Sequence, residues 1–402
     1  MKDVFKAVKV TDKVYWVGAV DWTTRDFHGY STDRGTTYNA YLVLADKITL
    51  VDTVKAPYKD ELLARIASLI DPADIAYVIS NHSEMDHSGC LPEITDLVKP
   101  ERVFASSMGV KALSDHFHSG HKIVEVKDGE SISLGSMKVT CYETRMLHWP
   151  DSMVSYLAEE RILFSQDGFG MHLASSERFD DEIVDSILEY EAAKYYANIL
   201  LPFSNITLKV LEKLMELGIE IDIIAPDHGP IWRDKIDWIL SLYTKWARRE
   251  PKRKAVIVYD TMWRSTEKMA RAIEDGLAAG GVHVVTIHAR RSHRSTVATE
   301  ILDAGALVVG SPTINNNIFP ALADTLTYLK GLKPRGLVGA AFGSYGWSGE
   351  SVKQVEDFLH EMKVELVSEG IRAKYVPDGK VLAQCRELGE KLAERLQDLP
   401  LQ

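Results

Sequence analysis

Cysteine is nearly missing from this chain of 402 residues. The three it has, Cys90, Cys141 and Cys385, lie far apart and form no C-x-x-C pair. Such scatter excludes a disulfide framework and an iron–sulfur cluster, and reads as three buried small hydrophobes. Long apolar runs are missing too: none reaches the roughly 18 to 20 residues of a membrane span. The opening "MKDVFKAVKV" lacks the apolar core of a signal peptide, so a cytoplasmic location and no membrane partner are expected. Positive charge is in deficit, with a net −11, which argues against nucleic acid as a partner. There is no internal repeat and no low-complexity segment.

What is present is the composition of a globular protein, 46% hydrophobic and 26% charged. The length favours two domains over one. The charge is unevenly spread. Residues from Pro251 onward carry 20 Lys+Arg against 18 Asp+Glu, and the first 250 carry 27 against 40.

The two halves also differ in pattern. The first reads as short strands, among them "VYWVGAV", "YVISNH", "RVFAS" and "SYLAEERILFS", with "TTYNAYLVLADKITLVDT" as a hairpin turning at Asp46–Lys47. Helical periodicity intervenes, as in "YKDELLARIASLI". Two packed sheets flanked by helices are expected over residues 1–250. After the basic segment Arg248 to Lys254 the pattern changes. Buried-type strands, "KAVIVYD", "VHVVTIHA", "ALVVGSPT" and "LVGAAFGSY", alternate with helical stretches, which predicts a parallel sheet with helices on both faces over residues 251–402.

Chemistry concentrates in "VISNHSEMDHSG". A strand ending at Ser80–Asn81 delivers His82, Glu84 and Asp86 at alternate positions, with His87 adjacent. His148 in "MLHWPDS", Asp167 in "LFSQDGFG" and His228 in "APDHGP" each sit near turns after apolar runs, where a rigid scaffold presents side chains from loops. Taken singly, such residues are usually solvated or capping. The seven together would supply two metals sharing one carboxylate.

That order resembles the metallo-β-lactamase fold, whose ligands come from an H-x-H-x-D-H loop, a His, a bridging Asp and a final His. Here Glu84 stands at the second His. Imidazole-rich sites suit zinc, whereas oxygen donors suit iron that cycles between Fe(II) and Fe(III). The H-x-E-x-D-H variant, followed by a flavodoxin-like half, resembles the flavodiiron proteins over essentially the whole chain. The resemblance implies an αββα metallo-β-lactamase-like sandwich, then a flavodoxin-like doubly wound sheet. It implies two non-heme irons, one on His82, Glu84 and His148, the other on Asp86, His87 and His228, with Asp167 between them. In some members of the family the histidine at the position of His87 turns away from the metal. His28, in "RDFHGYS", reads either as a residue supporting the diiron pocket or delivering protons, or as a plain turn histidine. His116, His118 and His121 in "DHFHSGH" read as surface residues.

In an open parallel sheet, ligands bind beyond the carboxyl ends of the strands. Three loops leave such ends here. "YDTMWRSTEKMA" brings Thr261, Met262, Trp263, Ser265 and Thr266 to the start of a helix, a setting for a phosphate. "GSPTINNN" offers Pro312, Thr313, Asn315 and Asn316, and "GSYGWSGE" offers Ser344, Tyr345, Gly346, Trp347 and Gly349. This resembles flavodoxin and implies FMN, with Ser265 and Thr266 on its phosphate. Arg264 stands where the flavodoxin loop usually has glycine, and is expected to add a phosphate contact of its own.

By the same resemblance the chain would reduce O₂ to water, NO to N₂O, or both. Two ferrous ions and one reduced FMN hold the four electrons that O₂ needs. A head-to-tail homodimer, as such or paired into a tetramer, would bring one protomer's FMN to the other's irons, with Trp347 at the interface. No rubredoxin module is built in, so electrons would come from a carrier such as rubredoxin. Arg290, Arg291 and Arg294 in "HARRSHR" are candidates to steer an acidic carrier. The alternative reading is a zinc-dependent hydrolase of the metallo-β-lactamase fold with a flavodoxin-like appendage.

Overall fold

The computed structural model describes residues 4–118 and 120–401; Met1, Lys2 and Asp3, part of the segment read above for a signal peptide, lie outside them. The chain divides into two compact units. One comprises Met1–His28, Thr32–Tyr195 and Asn205–Thr244; the other comprises Gly29–Ser31, Tyr196–Ser204 and Lys245–Gln402.

The first unit holds two sheets. Seven strands form one, in the order Val8–Lys9, Val14–Trp16, Tyr41–Val43, Thr49–Val51, Tyr77–Ser80, Arg102–Ser106 and Ile123–Val126. Five form the other: Ser131–Ser133, Lys138–Glu143, Met153–Leu157, Ile162–Gln166 and Ile223–Pro226. Strand alternation sets the layers. Tyr41 and Val43 point one way and join Trp16, Val51 and Phe104 against Val139, Cys141, Phe164 and Ala225 of the second sheet. Leu42, Leu50, Val78 and Val103 point the other way, onto Leu62, Ile94 and Leu113. Those three belong to the helices Lys59–Ala67, Leu91–Val98 and Ser107–Phe117. The outer face of the second sheet, Val154, Tyr156 and Leu163, packs on Leu214 of the helix Ser204–Glu216. Each fully buried aliphatic side chain contributes about 1.5–3 kcal/mol to this αββα sandwich.

The expected hairpin is present, with Val43 opposite Thr49 and the turn between them. Its upstream end differs: Thr36–Tyr38 leaves the hairpin and pairs with Ala19–Asp21. Asn39 breaks the run, because its Nδ2 donates to the carbonyls of Pro226 and Gly229 and its backbone N–H to that of Asp227.

Thr49–Val51, Tyr77–Ser80 and Arg102–Ser106 run parallel, as do Ile162–Gln166 and Ile223–Pro226. Parallel strands deliver their carboxyl ends to one edge. The loops after Ser80, Gln166 and Pro226 therefore carry His82, Asp167 and His228.

The second unit is a parallel sheet in the order His283–His288, Lys252–Tyr259, Ala304–Pro312, Val338–Tyr345, with Glu365–Leu366 and Ile371–Lys374 both pairing on the last. That is the flavodoxin-like 2-1-3-4-5 order. Ala255, Ile257, Val308 and Phe342 pack against Met269, Ile273, Leu388 and Leu392 of the helices Ser265–Ala279 and Gly379–Arg395. Those two helices touch through glycine: a Cβ on Gly276 would lie 2.1 Å from the Arg386 carbonyl, and one on Gly389 2.2 Å from that of Ile273. The three cysteines are buried and unbonded, as small hydrophobes. No helix among the described residues is long and apolar enough to cross a membrane.

Candidate metal centre and cofactor cleft

All seven expected ligands converge in the first unit. A single-turn helix, Met85–Ser88, tightens the knot after Tyr77–Ser80. The Ser88 hydroxyl bonds the carbonyls of Ser83 and Glu84, and Thr53 donates to the carbonyl of His87. His148 comes from the loop between Lys138–Glu143 and Met153–Leu157 rather than directly from a strand end.

The donors form two groups, His82, Glu84, His148 and Asp167 in one, and Asp86, His87 and His228 in the other. Asp167 faces both. Its Oδ2 lies 2.8 Å from His148 Nε2 and 3.4 Å from His82 Nε2; its Oδ1 lies 3.1 Å from His87 Nε2 and 3.6 Å from His228 Nε2. His87 is turned inward here, with Nε2 also 3.3 Å from Asp86 Oδ1. His28 Nε2 lies 2.9 Å from Glu84 Oε1, so the structure brings His28 to the edge of the centre. His116 lies in the last turn of a helix that His118 caps, and His121 lies 3.3 Å from Asp96; none of the three joins the centre.

Three supporting residues escaped sequence reasoning. Asp151 Oδ2 lies 3.1 Å from His82 Nδ1, and Asp227 Oδ2 lies 3.4 Å from His87 Nδ1. Both are carboxylates within three residues of a ligand, Asp151 after His148 and Asp227 before His228. His172 is wholly buried, its ring 4.6 Å from that of His228 and its Nδ1 2.9 Å from Thr36 Oγ1. Nothing in "GMHLASS" marks it.

Burial resists charging His82, but the carboxylates of Asp151, Glu84 and Asp167 prevail and push its pKa up to about 10. Burial likewise resists ionising Asp167, and the surrounding histidines hold it well below the usual carboxylate range. His172 goes the other way: burial, helped by His228, keeps it neutral. Asp86 Oδ1 and Oδ2, His87 Nε2 and Asp167 Oδ1 crowd together, buried, yet make no aligned hydrogen bond among the described residues. Each such orphan costs about 1–3 kcal/mol, a cost that cations seated among them would remove. The donor set of imidazoles and carboxylates fits two iron ions.

In the second unit, the loops at the carboxyl edge enclose a cleft of about 450 Å³. Met262, Trp263, Ser265, Pro312, Thr313, Asn315, Asn316, Ser344, Tyr345, Gly346 and Trp347 all line it. Asn315 and Asn316 both hold positive φ, forming a tight turn between Ile314 and Asn317. Trp263 is 89% and Trp347 87% exposed. Two such side chains in solvent suit a flat aromatic ligand lying against them. The first N–H groups of the helix Ser265–Ala279 have no intrahelical partner and suit its phosphate.

Three residues of the same loops do not line the cleft itself. Thr266 is buried, its hydroxyl 2.9 Å from that of Ser344. Gly349 lies behind the Tyr345 ring. Thr261 lines a neighbouring hollow. Arg264 holds φ +66°, the left-handed conformation that explains glycine at this position, and its guanidinium pairs with Glu267. Tyr375 and Val376 line the cleft and were missed, although "KYVPDG" follows a strand with a clear turn signal. Of the three arginines in "HARRSHR", Arg294 is committed to Asp324 and to the Gly29 carbonyl.

The profile of the ODP family beta lactamase matches residues 36–229 and that of flavodoxin residues 257–389. A nitric oxide reductase of Moorella thermoacetica is 48% identical over 97% of this chain and 99% of its own. The structure of a rubredoxin oxygen:oxidoreductase from Desulfovibrio gigas superposes with a TM-score of 0.96 at 47% identity, over 98% of this chain and 99% of that one. A flavodiiron protein from Giardia intestinalis superposes with a TM-score of 0.94 at 33% identity, over 98% and 97%. With the donor set in one unit, the flavin cleft in the other and likeness along almost its whole length, the chain belongs to the flavodiiron proteins, oxidoreductases carrying a non-heme diiron site and FMN.

Proposed function

We propose that this chain reduces O₂ to water, NO to N₂O, or both, with electrons passed through FMN from an external carrier such as rubredoxin. The observation that carries the reading is Asp167, which turns one oxygen to each donor group. Support comes from relatives named for nitric oxide reduction and for rubredoxin-linked oxygen reduction. When bound, the irons would take up and reduce the gas and FMN would resupply their electrons.

The chain's own residues have distinct tasks. His82, Glu84 and His148 would hold one iron and Asp86, His87 and His228 the other, with Asp167 available to both. Glu84, an oxygen donor in place of an imidazole, favours iron over zinc. His28, its side chain 70% exposed, connects solvent to Glu84 Oε1 and moves protons toward the centre. Ser265 and the helix start would hold the FMN phosphate, and Trp263, Tyr345 and Trp347 would supply aromatic surface for its ring. The diiron domain spans 1–250 and the FMN domain 251–402. A cytoplasmic head-to-tail homodimer, as such or paired into a tetramer, pairs the centres, and an acidic carrier reaches the more basic second domain.

Iron and flavin content of protein grown with iron available tests this, together with gas consumption driven by reduced rubredoxin. About two irons and one FMN per chain, with rubredoxin-dependent loss of O₂ or NO, are expected. Two zincs with esterase activity would restore the hydrolase alternative, which Glu84 and the oxidoreductase relatives disfavour.

A further inference from the structure

Gln166 ends the strand Ile162–Gln166 and is wholly buried, and its hydrogen bonds run to backbone groups of three ligand loops. Its side-chain Nε2 donates to the Leu147 carbonyl at 2.6 Å, in the peptide group that joins Leu147 to His148. Its Oε1 accepts the backbone N–H of Asp167 at 2.7 Å. Its own carbonyl accepts the N–H of Asp227, the residue before His228, at 2.9 Å, which continues the pairing of two parallel strands. The Leu147 carbonyl can only accept and the Asp167 N–H can only donate, so these partners fix which way the amide points. A carboxylate in its place could only accept, and an aliphatic group could do neither.

The strand is irregular where it delivers this residue. Its pairing with Ile223–Pro226 slips between Phe164 and Gln166, and Gln166 holds φ +48°, a region uncommon for residues other than glycine. A slip of this kind re-aims side chains beside a site, and such a backbone persists only where its surroundings hold it. The three peptide groups that Gln166 holds adjoin His148 of one donor group, His228 of the other, and Asp167, which faces both. Asp151 and Asp227 lie against ligand rings, whereas Gln166 acts on the main chain that carries the ligands.

We propose that Gln166 is a positioning residue for the diiron centre. By tying the His148 loop, Asp167 and the His228 loop to one another, it sets the separation of the two donor groups, and with it the spacing of the two irons. The inference rests on the reading that the seven ligands hold two irons. Ligand side chains keep a productive geometry only when groups behind them are locked by hydrogen bonds of their own. Two of the three loops are held by one amide, so a change there moves His148 and Asp167 relative to each other. Their contact at 2.8 Å is the shortest that Asp167 makes to a ligand histidine.

Ferrous ion titration of the FMN-loaded full chain, followed by iron X-ray absorption fine structure, tests this. Gln166→Glu keeps the size of the side chain and the bond from the Asp167 N–H, but sets an acceptor against the Leu147 carbonyl. It should weaken iron binding about 10–100-fold and lose the iron–iron scattering peak that the wild type shows. Gln166→Leu, which leaves both backbone groups unpaired, should lose at least as much. Tyr156→Phe is the control. It removes a side-chain bond to the Glu220 carbonyl, 2.5 Å long, from the same sheet, and should keep both irons and the peak. Wild-type affinity and an unchanged peak in Gln166→Glu would overturn the proposal. So would equal losses in Tyr156→Phe, or a Gln166→Glu chain that circular dichroism shows to be unfolded, since Gln166 would then serve folding alone. A wild type that holds fewer than two irons would instead overturn the diiron reading, and this inference with it.

Discussion

His28 Nε2 lies 2.9 Å from Glu84 Oε1, while Glu84 Oε2 lies 3.3 Å from His82 Nε2 and 3.4 Å from His148 Nε2. One carboxylate therefore touches the donor cluster with one oxygen and a largely exposed imidazole with the other. Replacing His28 leaves all seven ligands in place but removes the imidazole that contacts Glu84 Oε1. His28→Ala should retain iron and lose turnover about 100-fold, within the range for general acid–base groups. His28→Gln should recover little, because an amide hydrogen-bonds but cannot pass a proton as an imidazole can. Recovery of full turnover by His28→Gln would reduce His28 to a prop for Glu84.

Glu84→His tests the metal preference. It restores the imidazole that a zinc site carries, and removes an anionic oxygen donor that favours iron. Purified from medium containing both metals, the variant should carry more zinc and less iron than the wild type. Plasma emission spectrometry measures both, and an unchanged ratio would mean that Glu84 does not select the metal.

Asp167 is asked to serve both groups at once, so its loss should be felt by both. Asp167→Asn should hold one iron or fewer per chain and lose turnover by more than the 10–100-fold typical of residues that only support ligands. Asp151→Asn is the comparison. It acts through His82 Nδ1 and should fall within that range. Similar losses in the two variants would argue against a bridging role.

Metal loading should depend on pH. In the metal-free chain the pKa of His82 is raised from 6.5 to about 10. A raised histidine pKa stabilises the metal-free fold fully below about pH 6.5, and that contribution fades as pH rises toward 10. Iron must displace this proton, so its apparent affinity should rise with pH across 6 to 9 and loading should acidify a weakly buffered solution. A pH electrode during anaerobic ferrous addition reads the release directly. No acidification at pH 7 would show His82 already neutral.

The flavin cleft makes a smaller prediction. Trp263→Ala and Trp347→Ala each remove an exposed aromatic worth about 1 kcal/mol, and should weaken FMN binding roughly fivefold apiece. Quenching of flavin fluorescence on titration of apoprotein reports it. No change in either variant would mean that the ring lies elsewhere in the cleft.

Much of this was legible in the order of residues, for a physical reason. Ligands carried at the ends of parallel strands follow apolar runs, so His82, Asp167 and His228 are marked by the strands that deliver them. The change from short alternating strands to buried runs interleaved with helices marks two sheets of different kind. Glu84 alone pointed to iron, because donor chemistry is local to the side chain. What tertiary structure decided is whatever depends on direction. Asp151, Asp227 and His172 matter because folding turns them onto ligand histidines from remote segments, and no spacing encodes that. Thr261 and Ser265 are four residues apart in one loop and look alike in sequence, yet the backbone at Arg264, held at positive φ, carries them to different clefts. Arg294 looks like Arg291 in "HARRSHR" until Asp324 takes its charge. Residue type sets what a group can do; the direction in which the fold points it sets what it does.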